Sequence, residues 1–145
     1  MKNLIIYLAD DDEDDRMLFV DALSELPMKC QVRYFTDGIH LMAQLMIKEN
    51  QLPDIVFLDI NMPLMCGEQC LNKIRQTERI HKLPVIIYST SFVKNEVRKY
   101  RDMNANGYLQ KPTSFNQLKT LLYKCIQPYM MEADGKAQSG FIIEV

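Results

Sequence analysis

No apolar run in this 145-residue chain approaches the length needed to cross a membrane, and no membrane partner is expected. Neither sign of charge prevails: 17 Lys and Arg stand against 19 Asp and Glu, a formal net charge of −2. That balance lacks the basic surplus that would draw the chain to nucleic acid or to an anionic bilayer. The four cysteines, Cys30, Cys66, Cys70 and Cys125, lack paired metal-ligand spacing. Cys66 and Cys70 could share a helix face, but no histidine or second cysteine pair sits near them, so all four read as free structural thiols of a reducing cytoplasm. A secretory leader is not expected, because Leu4 to Ala9 is too short for its apolar core and runs straight into acids. No internal repeat or linker appears before about Gln127. What is present is ordinary for a soluble globular domain: 48% apolar and 25% charged residues, in a length that suits one domain with one core.

The most informative stretch is Asp54 to Gly67. It opens with Ile55-Val56-Phe57-Leu58, an apolar run of the kind a fully buried strand uses, and ends in a lone acid, Asp59. Pro63 and Gly67 then stop the strand and turn the chain. In an open parallel sheet, ligands bind outside the carboxyl ends of the strands. Asp59 is therefore the candidate nucleophile.

A second buried-strand run, Leu4 to Ala9, breaks into six consecutive acids, Asp10 to Asp15. Asp12 to Asp15 suit the cap and first turn of a helix, where carboxylates complement the helix dipole. Asp10 and Asp11 precede the helix at the strand exit. Beside a third acid on a neighbouring strand they would repel unless a cation lay among them. Oxygen donors with room for water and phosphate suit Mg²⁺; a calcium loop starting at Asp10 fails, because Asp15 falls where that loop needs glycine. Further on, a helix over Arg16 to Leu26 would bury Met17, Val20 and Leu23 and end at Pro27. Gln31 to Thr36 alternates as a half-exposed strand, and Leu41, Met42 and Leu45 give the next helix an apolar face. Gly67 to Gln76 reads as helix, Pro84 to Tyr88 as strand, Lys94 to Met103 as a more polar helix, and Tyr108 to Gln110 as a short last strand. Ser114 would cap a final helix that buries Leu118, Leu121, Leu122, Cys125 and Ile126. Five strands alternating with five helices predict a doubly wound α/β domain. Residues 130–145 have no place in that repeat and are expected to form a flexible tail after a domain of residues 1–129.

The polar residues at the strand exits are Asp10 and Asp11, Asp59, Ser89 and Lys111, and a parallel sheet brings such residues to one edge. Phosphoryl transfer needs this set: a carboxylate to attack in line, acids for Mg²⁺, and a lysine and a hydroxyl for phosphoryl oxygens. With Asn61, Met62-Pro63, Gly67 and Lys111-Pro112, these residues make the chain resemble the receiver domain of two-component response regulators from about Asn3 to Tyr129. Ser89 stands 30 positions after Asp59 and 22 before Lys111, spacings that family nearly fixes.

The resemblance implies a single-domain response regulator with a flavodoxin-like three-layer sandwich and five strands in the order 2-1-3-4-5. It implies that Asp59 takes phosphate from a sensor histidine kinase or a histidine phosphotransfer protein. Mg²⁺ would be held by Asp11 and Asp59, by the Asn61 main-chain carbonyl, and through water by Asp10. A cis peptide would join Lys111 to Pro112. Ser89 and Tyr108 would form the switch, Tyr108 swinging inward on activation. The output face would combine the fourth helix, fifth strand and fifth helix, carrying Lys94, Arg98, Lys99, Tyr108, Lys119 and Tyr123, and would bind an unidentified downstream protein or a second copy.

Thr90 departs from the smaller residue usual at its position, and could narrow access to Asp59. No output domain is expected after Tyr129. Two other readings compete. An aspartyl-phosphate phosphatase or phosphotransferase needs an acid two residues after its nucleophile, where this chain has Asn61. A receiver-like binding module that is never phosphorylated would have no need of the full acidic set.

Overall fold

The computed structural model describes residues 3–130 and 140–144. β1 (Leu4–Ala9), β2 (Cys30–Phe35), β3 (Ile55–Leu58), β4 (Val85–Ser89) and β5 (Gly107–Gln110) alternate with α1 (Glu13–Ser24), α2 (Gly38–Leu45), α3 (Gly67–Gln76), α4 (Lys94–Asp102) and α5 (Phe115–Met130). Every strand pair is parallel, and the order is β2-β1-β3-β4-β5-β6. The sixth strand, β6 (Ile142–Ile143), corrects the five-strand expectation: it belongs to the segment read from sequence as tail. The remainder of that segment, 131–139, lies outside the described residues.

The sheet is buried on both faces because helices cover both. Side chains alternate across it. Tyr7, Ala9, Val56, Leu58, Val85, Ile87 and Tyr108 join one core with residues of α2, α3 and α4. Leu4, Ile6, Leu8, Ile55, Phe57, Ile86, Tyr88 and Leu109 join the other with residues of α1 and α5. β2, at the edge, has no fully buried residue, as its alternating sequence predicted.

Two helices differ in detail from their sequence reading. α1 buries Phe19, Ala22 and Leu23, while Met17 and Val20 are exposed. Phe19 sets that rotation, meeting Phe57 and Tyr88 edge-on with ring centroids 5.0 and 5.5 Å apart. α5 runs through Pro128 to Met130. A proline so near the end removes one helical hydrogen bond without ending the helix.

The ladders extend one residue past several strands. The Asp10 N–H donates to the Phe35 carbonyl at 2.9 Å, that of Asp59 to Ala9 at 2.9 Å, and that of Lys111 to Ser89 at 2.7 Å. The backbones of three exit residues are thus fixed by sheet pairing before any side chain is considered.

Candidate functional site

Asp10, Asp59, Ser89 and Lys111 stand at the carboxyl edge of β1, β3, β4 and β5. Asp10 and Ser89 are almost wholly buried, Asp59 is buried at 7% exposure, and Asp11 is exposed. One carboxylate oxygen from each of Asp10, Asp11 and Asp59 lies within 4.8 Å of the others. Asp59 Oδ1 accepts the Ile60 N–H at 2.7 Å, and its Oδ2 accepts from Lys111 Nζ at 3.3 Å. Asp10 Oδ1 accepts the Asp12 N–H at 3.0 Å. Lys111 Nζ also lies 2.8 Å from Asp10 Oδ2 and 2.9 Å from Asp15 Oδ2. Its 8% side-chain exposure leaves little water to screen these pairs.

The electrostatics follow from that crowding. The Asp59 carboxyl is raised to about 6: burial pushes it up most, Lys111 pulls it back, and Asp10 adds to the rise. Burial works to lower the Lys111 pKa, but its contacts with Asp10, Asp15 and Asp59 prevail and raise it. Wholly buried Asp10 Oδ2 has the Lys111 ammonium as its partner at 2.8 Å. Three carboxylates with an oxygen each within 4.8 Å of the others fit a hard divalent cation such as Mg²⁺.

Asn61 is exposed in the loop after β3, and Thr90 is exposed beside Ser89. The Lys111–Pro112 expectation is corrected: no described peptide bond is cis. Lys111 reaches the acids because β5 pairs with β4 up to Gln110 and the next N–H is pinned to Ser89. Ser89 Oγ accepts the Ser91 N–H at 3.1 Å, which shapes the start of the β4–α4 loop. Tyr108 lies in β5 beside this loop. It is fully buried, and its hydroxyl donates to the Ser91 carbonyl at 2.6 Å. Its ring meets Phe92 edge-on at 5.8 Å and lies 6.3 Å from Tyr100.

Asp15 was read from sequence only as part of a helix first turn. It is a direct partner of Lys111. α1 is capped by Asp12, whose side chain accepts the Asp15 N–H at 3.0 Å. That cap fixes the first turn and leaves Asp15 at the site. Six acids in a row carry no mark of which one turns inward.

Gly67 is a constraint on the site. A Cβ there would overlap the Asp59 carbonyl oxygen and sit 2.9 Å from Ile60 Cα, while the Gly67 N–H donates to the Ile60 carbonyl at 2.8 Å. Both obstacles are backbone and cannot rotate away. Gly67→Ala is expected to cost about 1–3 kcal/mol of stability and to slow phosphoryl uptake by moving Asp59. Urea unfolding and single-turnover labelling check the two effects, and wild-type values in both would remove Gly67 from this role.

Comparison with known proteins identifies the family. The profile of the response regulator receiver domain matches residues 6–123, and the chain belongs to that family. It is 31% identical over 118 residues to the probable methanogenesis regulatory protein FilR2 of Methanothrix harundinacea, covering 79% of this chain and 76% of that one. It is 30% identical over 126 residues to the chemotaxis protein CheY-3 of Vibrio cholerae, covering 87% and 94%. Among solved structures, the phosphorylated cyanobacterial phytochrome response regulator RcpA superimposes with a TM-score of 0.82 at 25% identity, covering 92% and 98%.

Proposed function

We propose that the protein is a phosphoacceptor switch in which Asp59 takes a phosphoryl group from a histidine kinase or a histidine phosphotransfer protein. The observation that carries this reading is the cluster itself: three carboxylates within 4.8 Å of one another, with the Lys111 ammonium against Asp10 and Asp59. A carboxylate oxygen of Asp59 attacks phosphorus, the P–N bond of the phosphohistidine breaks, and its electron pair returns to the imidazole. Asp10, Asp11, Asp59 and the Asn61 carbonyl would hold Mg²⁺, which when bound neutralises charge between these acids and the incoming phosphoryl group. Lys111 neutralises a phosphoryl oxygen, and the Ser89 hydroxyl donates to another. That the solved relative RcpA is described as phosphorylated supports the reading.

Asn61 cannot shuttle a proton as the general acid–base of an aspartyl-phosphate phosphatase would, so the protein is read as a switch rather than a turnover enzyme. Output would pass through the face of α4, β5 and α5. Because Tyr108 is already inward, phosphorylation would act by drawing in Ser89 and tightening the Ser91 turn that Tyr108 holds, with no swing of the ring. The four free thiols suit a cytoplasmic setting.

Incubation with acetyl phosphate and Mg²⁺ tests the assignment. One phosphoryl group per chain, base-labile and lost in Asp11→Ala at the same Mg²⁺ concentration, is expected. Repeated turnover would support the phosphatase, and no adduct at any Mg²⁺ concentration would leave only the non-phosphorylated binding module.

A further inference from the structure

The outer edge of β5 would be a row of unpaired backbone groups if the chain ended with α5. The chain fills that edge itself. β6 runs parallel to β5, with Tyr108 opposite Ile142 and Leu109 opposite Ile143. The Tyr108 N–H donates to the Phe141 carbonyl at 2.9 Å. Ile143 is 6% exposed and enters the core shared with α1 and α5, whereas Phe141 and Ile142 pack against the core on the other side of the sheet. Two cations hold the strand from its flanks. The Arg101 guanidinium on α4 lies 5.2 Å from the centroid of the Phe141 ring, and Lys124 Nζ on α5 donates to the Glu144 carbonyl at 2.5 Å. Helix, strand and helix each contribute one side of a groove shaped for an extended peptide.

We propose that the β5 edge, framed by Arg101 and Lys124, is a strand-binding site for an extended aromatic–aliphatic–aliphatic peptide running parallel to β5, and that Gly140–Glu144 occupies it in cis. Main-chain pairing supplies attraction, and the alternating pockets for Phe141, Ile142 and Ile143 supply selectivity. A segment tethered to the same chain acts at high effective concentration, so a partner strand must displace it before reaching β5. The same Tyr108 carries both the N–H that pairs with β6 and the hydroxyl that holds Ser91, which places the occupied groove at a residue of the candidate switch. The site does not rest on phosphoryl transfer at Asp59, and its test uses neither phosphodonor nor Mg²⁺.

The test uses the full chain and a fluorescent peptide with the sequence of residues 140–145, Gly-Phe-Ile-Ile-Glu-Val. Ile143→Asp puts a carboxylate into a buried position and should release the native strand. The peptide is expected to bind this variant at least about tenfold more tightly than wild type, because the competing cis strand is gone. The doubly substituted Arg101→Ala, Lys124→Ala chain, altered only at exposed positions, covers the case in which Ile143→Asp does not fold. In it, amide exchange at Tyr108 should accelerate while exchange in β1 and β3 stays as in wild type. Equal peptide binding by wild type and Ile143→Asp, or unchanged Tyr108 exchange in the double variant, overturns the proposal. A wild-type dimer by light scattering that dissociates in Ile143→Asp also overturns it, since the occupant would then come from a second copy.

Discussion

Asp59→Asn is expected to abolish phosphoryl uptake and, in the absence of Mg²⁺, to make the protein more stable. The first effect follows from chemistry: an amide oxygen is too weak a nucleophile to take the phosphoryl group, while asparagine keeps the shape and still accepts the Ile60 N–H. The second follows from electrostatics. Burial, together with the Asp10 charge, holds the Asp59 carboxyl at about 6 in the folded chain against an ordinary 3.8. An acid whose folded pKa is raised favours folding only while protonated. Its contribution is intact below the unfolded value and is lost as pH rises from about 4 to about 6. Above that window the ionised carboxylate opposes folding, and the neutral amide removes the opposition. The expected gain at pH 7 is about 1–3 kcal/mol, vanishing near pH 3.5 and shrinking as Mg²⁺ is added to wild type. Chemical denaturation in chelator at the two pH values measures it. A variant less stable than wild type at pH 7 would mean that Asp59 is a structural partner of Lys111 and not a strained acceptor.

The same strain explains what could be read in the sequence. Asp10, Asp59 and Ser89 were legible because each directly follows an apolar run, and Lys111 because it follows the short strand Tyr108 to Gln110; in a parallel sheet the register of the strands fixes where such residues meet. No alternation or composition is needed beyond that. Asp15 was not legible as a site residue, because its place depends on the capped first turn of α1, and any of four helix-start acids satisfies the same local rule. The buried face of α1 was misread in part: Leu23 is buried as expected, but Phe19, one residue or about 100° from Val20, fills the aromatic gap beside Phe57 and Tyr88 while Met17 and Val20 are exposed. Gly38 is another case. A Cβ there would overlap the Met65 carbonyl oxygen and lie 2.6 Å from Cys70 Sγ, so α2 packs tightly against the loop leading into α3. Local sequence pattern does not reveal that contact. The buried position of Tyr108 depends on Phe92 from the preceding loop and on β6 pairing with its backbone, contacts too distant in the chain for local pattern to reveal. Phe141-Ile142-Ile143 was visible as an apolar cluster, but only the unpaired edge of β5 says where it goes.

Lys111→Met is expected to be the most destabilising single change at the site in the absence of Mg²⁺. Methionine keeps most of the volume and removes the charge, so the variant isolates the electrostatic role. Lys111 Nζ stands 2.8, 2.9 and 3.3 Å from carboxylate oxygens of Asp10, Asp15 and Asp59, and two of these acids are buried. Removing one partner of a buried ion pair leaves uncompensated charge and costs about 3–5 kcal/mol. Burial alone would lower the lysine pKa, but the three carboxylates raise it, so its cationic contribution is fully present below the ordinary lysine range and holds across neutral pH. The loss in Lys111→Met should therefore be nearly full at pH 7. It should diminish below about pH 5, where the Asp59 carboxyl is neutral and no longer needs a counter-charge. Mg²⁺ should restore much of it, because a divalent cation among Asp10, Asp11 and Asp59 takes over the neutralisation. Phosphoryl uptake from acetyl phosphate should still fall by about a hundredfold, since a preformed cationic donor to the phosphoryl oxygens is lost. Thermal unfolding across pH with and without Mg²⁺, beside labelling rates, separates the two roles. A loss of stability that ignores both pH and Mg²⁺ would assign the side chain to packing against Tyr88, over whose ring its ammonium lies at 5.2 Å, and not to balancing the acids.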